Sequence, residues 1–279
     1  SAANENASEF GVYHFRKTIN LEQVPAKFIV HVSADNRYKL FVNDSLVALG
    51  PCRGDVSNWN YETIDLAPFL REGRNILASV VWFLEPKDAP VAQVSFGKAG
   101  FLMQGNSKTE AVVNTDKSWK CIRNTAYGKC TTGRVRGYYA AGATELIQTG
   151  QYPHGWAKAD FDDSQWKQAL EAGRAAAKGT MNYSERLLVP RSLPALEMAT
   201  ERLKSVRKTE GIKKTGDFLK KPTALQIPAH TKAVLLLDQG YETTGYPHLS
   251  WTGGKGSKLT LTYAETLFTR NEKGHEAPL

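Results

Sequence analysis

The stretch YKLFVNDSLVALGP, Tyr38 to Pro51, limits the fold more than any other part of the chain. Tyr38, Leu40 and Val42 recur at every second position, which puts all three on one face of an extended strand. Asn43 and Asp44 follow. Both residue types tolerate positive φ, which a two-residue type I′ hairpin turn requires. Leu46 to Leu49 then runs back as a second strand. Gly50-Pro51 ends it, because Pro51 has no N–H to give to a ladder. Such a hairpin is marginal alone and needs more strands with an apolar face to lie against.

The first half of the chain supplies candidates. Phe28 to Ser33 (FIVHVS) alternates, and Asn75 to Phe83 (NILASVVWF) reads as a buried strand. Val91 to Phe96, Phe101 to Gln104 and Ala111 to Val113 are expected to add three more. Short strands separated by turns about every 8–12 residues predict an all-β, antiparallel sandwich. Two acidic turns each run into a tryptophan: DKSW at 116–119 and DFDDSQW at 160–166. Clustered Asp oxygens suit calcium, but the glycine and distal Glu of an EF-hand spacing are missing. Structural turns are the expectation, with Asp accepting backbone hydrogen bonds and tryptophan anchoring a strand edge in the core. No cofactor and no metal are expected; calcium is the alternative.

The chain has 279 residues, 41% of them hydrophobic, which supports a sizeable core rather than global disorder. No run approaches the about 18 consecutive apolar residues of a membrane span. The formal charge is +8, with a local concentration from Arg202 to Lys221. No helix-turn-helix, RNP or zinc signature accompanies it, so it reads as a solvated connection and no nucleic-acid partner is expected. Cys52, Cys121 and Cys130 lack CxxC spacing, which disfavours zinc. Cys121 and Cys130 either close a local disulfide or remain two buried thiols. The opening SAANENASEF reads as a flexible start.

In the second half, Ala169 to Gly179 is poor in β-formers and reads as a short helix or a loop. Pro190 and Pro194 argue for extended structure, although Leu196, Ala199, Leu203 and Val206 fit a helix after Pro194. Strands are expected to resume at Ala224 to Ile227, Ala233 to Leu237 and Lys258 to Tyr263, where Leu259, Leu261 and Tyr263 share a face. The glycine-rich SWTGGKGSK lacks the GK[ST] ending of a phosphate-binding loop.

These motifs, in this order, resemble the N-terminal β-sandwich region of bacterial α-L-rhamnosidases of glycoside hydrolase family 78. The resemblance runs through Phe15-Arg16, then Ala34-Asp35 with Tyr38, Leu40 and Val42-Asn43, then Gly50-Pro51. It continues through Arg53 to Asp55, Trp59 to Leu66 (WNYETIDL) and Gly73 to Asn75. LLVPRSLPALE is similar to the family's linker. LLLDQGYETTGYPHLSWTGGKGSKLTLTYAETL is similar to the start of its next β-domain, through Asp238, Gly240, Thr244 to Pro247, Gly253 to Gly256 and Tyr263 to Leu267. Asn-Asp stands in the hairpin where Asn-Gly is more usual.

The resemblance implies a flexible start at 1–9, an accessory β-sandwich of jelly-roll, galactose-binding type at 10–180, a partly extended basic linker at 181–222, and the start of a second sandwich at 223–279. It implies a chain that lacks the family's catalytic (α/α)6 barrel. An inverting glycosidase needs an acid and a base roughly 6.5–9.5 Å apart, and no catalytic residue is expected in this segment; Glu265, in the YAE element, reads as structural. The expected role is a non-catalytic scaffold of a rhamnoside hydrolase with a part in carbohydrate recognition. Its partners are then a rhamnose-containing glycan and the catalytic domain, and its location periplasmic or extracellular. An open edge of the second sandwich offers a route to dimerisation. A stand-alone carbohydrate-binding module is the alternative, and an adhesion protein is the third reading, resting on Arg53-Gly54-Asp55.

The candidate carbohydrate-binding residues are Arg53, Asp55, Asn58, Trp59 and Tyr61. Trp59 and Tyr61 are two apart and so share a face. They either stack on a sugar ring or pack against protein, with Asp55, Asn58 and Asn60 supplying hydrogen bonds. Arg53 and Asp55 either pair with each other or brace the loop.

Overall fold

A computed structural model gives the fold. It describes residues 8–85, 95, 97–130, 144–171, 173–180, 186–213, 217–265, 267–270 and 276–278, without the side chains of 130, 144, 268–270 and 276–278. The chain divides into two compact units, 1–195 and 196–279.

The strands of the first unit are β1 (Gly11–Leu21), β2 (Ile29–Asp35), β3 (Arg37–Val42), β4 (Ser45–Gly50), β5 (Trp59–Asp65), β6 (Gly73–Phe83), β7 (Gly100–Gly105), β8 (Lys120–Arg123), β9 (Tyr127–Cys130), β10 (Thr144–Ile147), β11 (Lys167–Gln168), β12 (Ala175–Ala177) and β13 (Arg186–Pro190). They build a sandwich. One sheet has the order β11-β8-β1-β6-β3-β4, the other β12-β13-β5-β2-β7, and β9 and β10 pair separately. Pairing is antiparallel except at one end, where β12, β13 and β5 run parallel. The expected hairpin is present: Val42 faces Ser45 across a two-residue turn, with Asn43 and Asp44 at φ 50° and 71°.

The inward-facing rows meet in one core. Tyr13, Phe15, Tyr38, Leu40, Val42, Leu77 and Val81 come from the first sheet, and Val30, Val32, Ala34 and Met103 from the second. The first sheet is also covered on its other face. There Trp156 and Trp166 pack over Ile76 and Ala78. Arg16, only 1% exposed, ties this cover down. Its Nε donates to Asp163 at 2.9 Å, one Nη donates to the carbonyls of Trp156 and Lys158, and its guanidinium lies over the Phe161 ring. His14 lies beside it, edge-on to Trp156 with centroids 4.2 Å apart, and its Nε2 is 2.9 Å from the Asn124 amide.

The acidic turns act as backbone acceptors. Asp116 and Asp162 take the Ser118 and Ser164 N–H groups at 2.8 and 2.9 Å, while Trp119 and Trp166 are buried. Several expectations need correction. Residues 110–113 form a 3-10 turn rather than a strand, because Glu110 turns back to accept the Ser107 N–H. Ala175–Ala177 is a strand rather than a helix or loop, since the sheet edge at β13 gives its backbone a partner. The strand expected over Val91 to Phe96 falls, Ser95 apart, outside the described residues. The question of a Cys121–Cys130 bridge also falls outside them, because it turns on the Cys130 side chain.

The second unit carries β14 (Ser205–Glu210) paired antiparallel with β15 (Val234–Asp238), and β16 (Phe268–Arg270) paired with β17 (Glu276–Pro278). No helix forms over Leu196 to Val206: 196–204 are irregular, and Val206 belongs to β14. The strands expected at 224–227 and 258–263 do not form either. Among the described residues those backbones have no ladder partner, and Leu259, Leu261 and Tyr263 stay exposed. Among the described residues no helix is long and apolar enough to cross a membrane.

Candidate functional site

Between β4 and β5, Pro51 to Asn58 form a closed loop that leads into β5. The Asp55 carboxylate accepts the Ser57 N–H at 2.8 Å and the Asn58 side-chain amide at 3.0 and 2.9 Å. These bonds, with that from Asn58 the largest contribution, hold the exposed Asp55 below the usual carboxylate range. The Asn60 amide donates to the Arg53 carbonyl at 2.8 Å. A Cβ at Gly54 would come within 2.2 Å of the Asn58 carbonyl oxygen, so the tightness of the loop demands glycine. Asp55 braces the loop, and Arg53 is exposed. Lys178, after β12, donates to the Asn58 side-chain oxygen and links the loop to the sheet edge.

Beneath the loop is a buried carboxylate. Glu62 accepts the Cys52 N–H at 2.7 Å and the Tyr38 hydroxyl at 2.9 Å, with Arg191 at 3.6 Å. Burial raises the Glu62 pKa, against the opposing pull of those donors. The arrangement pins the start of the loop and the residues after β13 to one point.

Trp59 and Tyr61 point away from the core, on the outer face of the five-stranded sheet. The alternation in β2 puts His31, Ser33 and Asp35 on that same face, opposite the buried Val30, Val32 and Ala34. Trp59 is 7% exposed, and Asp35 is 3% exposed. Both line a cleft of ≈ 440 Å³ with Leu102, Arg174, Arg186 and Leu188. That size and this mixture of aromatic, aliphatic and a few polar groups suit a small ligand. The Asn36 amide donates to Asp35 at 2.9 Å and so fixes one carboxylate oxygen. Asp116, also on the lining, accepts from Ser118 and lies 3.7 Å from Lys17; although desolvation works against it, these contacts hold it on the ionised side.

The sequence-derived set is thus brought together only in part. Trp59 reaches the cleft, Tyr61 continues the same face, and Arg53, Asp55 and Asn58 belong to the loop beside it. Asp35, Arg174 and Arg186 were missed. Asp35 carried a signal, since the alternation that buries Val30 and Val32 turns His31, Ser33 and Asp35 outward. Arg186 carried none, because its place depends on β13 pairing in parallel with a strand more than a hundred residues earlier. Among the described residues no group of three or more His, Cys, Asp or Glu side chains is placed to hold a metal ion.

The α-L-rhamnosidase N-terminal domain family matches residues 25–197, more than half of the chain. A rhamnosidase of glycoside hydrolase family 78 from Bacillus sp. GL1 superposes with a TM-score of 0.62 at 25% identity, over 76% of this chain and 21% of that enzyme. The α-L-rhamnosidases of Dictyoglomus thermophilum and Aspergillus terreus give 0.49 each, at 16% and 15% identity, over 70% and 71% of this chain and 21% and 22% of theirs. No curated protein sequence matches. The chain spans about a fifth of the length of these enzymes. By the match over residues 25–197, the chain belongs to the α-L-rhamnosidase N-terminal domain family.

Proposed function

We propose that this chain is the non-catalytic N-terminal segment of an α-L-rhamnosidase and that its first unit recognises carbohydrate at the Trp59 cleft. The single observation behind this is the cleft itself: a largely buried indole and a buried, oriented carboxylate side by side on an outward sheet face. An indole gives the C–H face of a sugar ring an apolar platform, and the polar part of the cleft lining includes Asp35, Arg174 and Arg186. The loop of Arg53, Asp55 and Asn58 leads directly into Trp59 without lining the cleft itself.

Bond cleavage is assigned to the rest of the enzyme. A general acid has to be held protonated, whereas the environment of Asp116 favours its ionised form. The segment then serves as scaffold for a catalytic domain and holds rhamnose-containing glycans near it. We place the enzyme in the periplasm or outside the cell, where such glycans are met; cell fractionation tests that placement.

Calorimetry with methyl α-L-rhamnoside tests the binding site. The native chain is expected to bind it and Trp59→Ala to weaken it by about tenfold or more, the worth of one aromatic contact. Undiminished binding by Trp59→Ala would remove the cleft from the proposal. Hydrolysis of an aryl α-L-rhamnoside by this chain alone would overturn the non-catalytic reading.

A further inference from the structure

The outward row of the five-stranded sheet continues past Trp59. Tyr61, two residues on, stands on the same face about 7 Å along the strand. Its ring meets His31 edge to face, with centroids 5.2 Å apart and planes at 83°. The imidazole is fixed from both sides: Nδ1 is 3.0 Å from Thr63 Oγ1 on β5, and Nε2 is 3.1 Å from Asn106 Oδ1 just after β7. The ladder sets Thr63 and Gln104 directly beside His31. Thr63, Gln104 and Asn106 are exposed, while Tyr61 and His31 are half-buried.

This patch combines a held aromatic pair with a hydroxyl and two carboxamides, and none of the five residues is Lys, Arg, Asp or Glu. It offers no cation for a polyanion and no broad apolar area for a helix. It suits an uncharged polyhydroxylated ring, whose C–H face meets the aromatic surface while its hydroxyls pair with neutral donors and acceptors. On β2, between His31 and Asp35, the same face carries only Ser33, whose hydroxyl donates to the Asn60 carbonyl at 2.7 Å. No bulky β2 side chain therefore separates the patch from the cleft.

We propose that Tyr61 and His31 form a second subsite continuous with the Trp59 cleft, so that this face binds a run of at least two neutral sugar residues rather than one terminal sugar. The inference rests on reading the cleft as a carbohydrate site. The test is calorimetric titration of the chain with methyl α-L-rhamnoside and with a neutral trisaccharide ending in α-L-rhamnose. The trisaccharide is expected to bind about tenfold tighter, the size of one added aromatic contact. Tyr61→Ala is expected to bring the two ligands to the same affinity, and the exposed, milder change Asn106→Ala to narrow the gap. Asn106→Ala keeps the test open should Tyr61→Ala fail to fold. Trp59→Ala weakens both ligands. Equal affinities in the native chain, or a gap that survives both Tyr61→Ala and Asn106→Ala, overturn the second subsite and leave the cleft standing. Binding of neither ligand overturns both.

Discussion

Tyr38, Leu40 and Val42 in the first unit and Leu259, Leu261 and Tyr263 in the second carry the same alternating pattern. The first three are 3%, 0% and 0% exposed; the second three are 58%, 50% and 70% exposed. The difference lies in what stands beside the backbone. β3 is held between β4 and β6, with Tyr38 opposite Val81 and Val42 opposite Leu77. The 258–263 segment has no ladder among the described residues, and its backbone is irregular. Alternation is thus a property of the segment, whereas a strand is a property of its neighbours. The second unit's buried apolar side chains, among the described residues, are Val206 and Leu219. Its irregular stretches are tied by polar contacts instead: Gln239 and Tyr241 both donate to Glu201, and Lys204 lies over the Tyr241 ring.

The sharpest break of this comparison is a matched pair of truncations. Leu40→Ala empties a fully buried site and is expected to cost about 2–5 kcal/mol. Leu261→Ala, on the same pattern but exposed, is expected to change stability by no more than about 0.5 kcal/mol. Denaturant unfolding reads both. Similar costs would mean that the 258–263 segment is packed in solution.

Acid provides the second test. His14 is fully buried, and desolvation pulls its pKa down to about 3. Its folded value lies below the ordinary one, so the unfolded chain takes up the proton first. The stability held by neutral His14 is complete above about pH 6.5 and falls by about 1.4 kcal/mol per pH unit as the pH drops toward 3. Hydrogen exchange separates the units: the amides of β1 and β6 are expected to lose protection along that slope, and those of β14 and β15 not to share it. His14→Gln should flatten the slope in β1 and β6. An unchanged slope in that variant would show that other groups carry the acid response.

The smallest effect compares two glycines. A Cβ at Gly50 would lie 2.3 Å from Glu62 Oε2 and 2.8 Å from the Tyr38 ring, whereas one at Gly245 would meet nothing within 4 Å. Gly50→Ala is expected to cost about 1–3 kcal/mol through overpacking, and Gly245→Ala to stay within about 0.5 kcal/mol. Thermal unfolding compares them. A neutral Gly50→Ala would show that the Glu62 carboxylate can move aside.

Much of the first unit could be read from residues alone because its signals are local. Asn43-Asp44 could turn only where positive φ is tolerated, and the rows Tyr38-Leu40-Val42 and Val30-Val32-Ala34 each had one side to bury. The same logic put Trp59 and Tyr61 on a common face. It failed at 110–113, which form a 3-10 turn in which Glu110 accepts the Ser107 N–H, and at 175–177, where an alanine run takes up sheet form beside β13.

The sequence by itself determined the strand class, the hairpin and its turn, the acidic turns with their buried tryptophans, and the shared face of Trp59 and Tyr61. Each depends on residues a few positions apart, through side-chain period, φ tolerance or Asx hydrogen bonding. Only the tertiary structure decided that β13 lies parallel to β5, that Asp35, Trp59 and Arg186 line one cleft, that Glu62 joins the loop start to Arg191, and that Leu259, Leu261 and Tyr263 stay outside any sheet. Those outcomes depend on which distant segments meet, and a ladder or a cleft forms only when its partners, far apart in the chain, arrive at the same place.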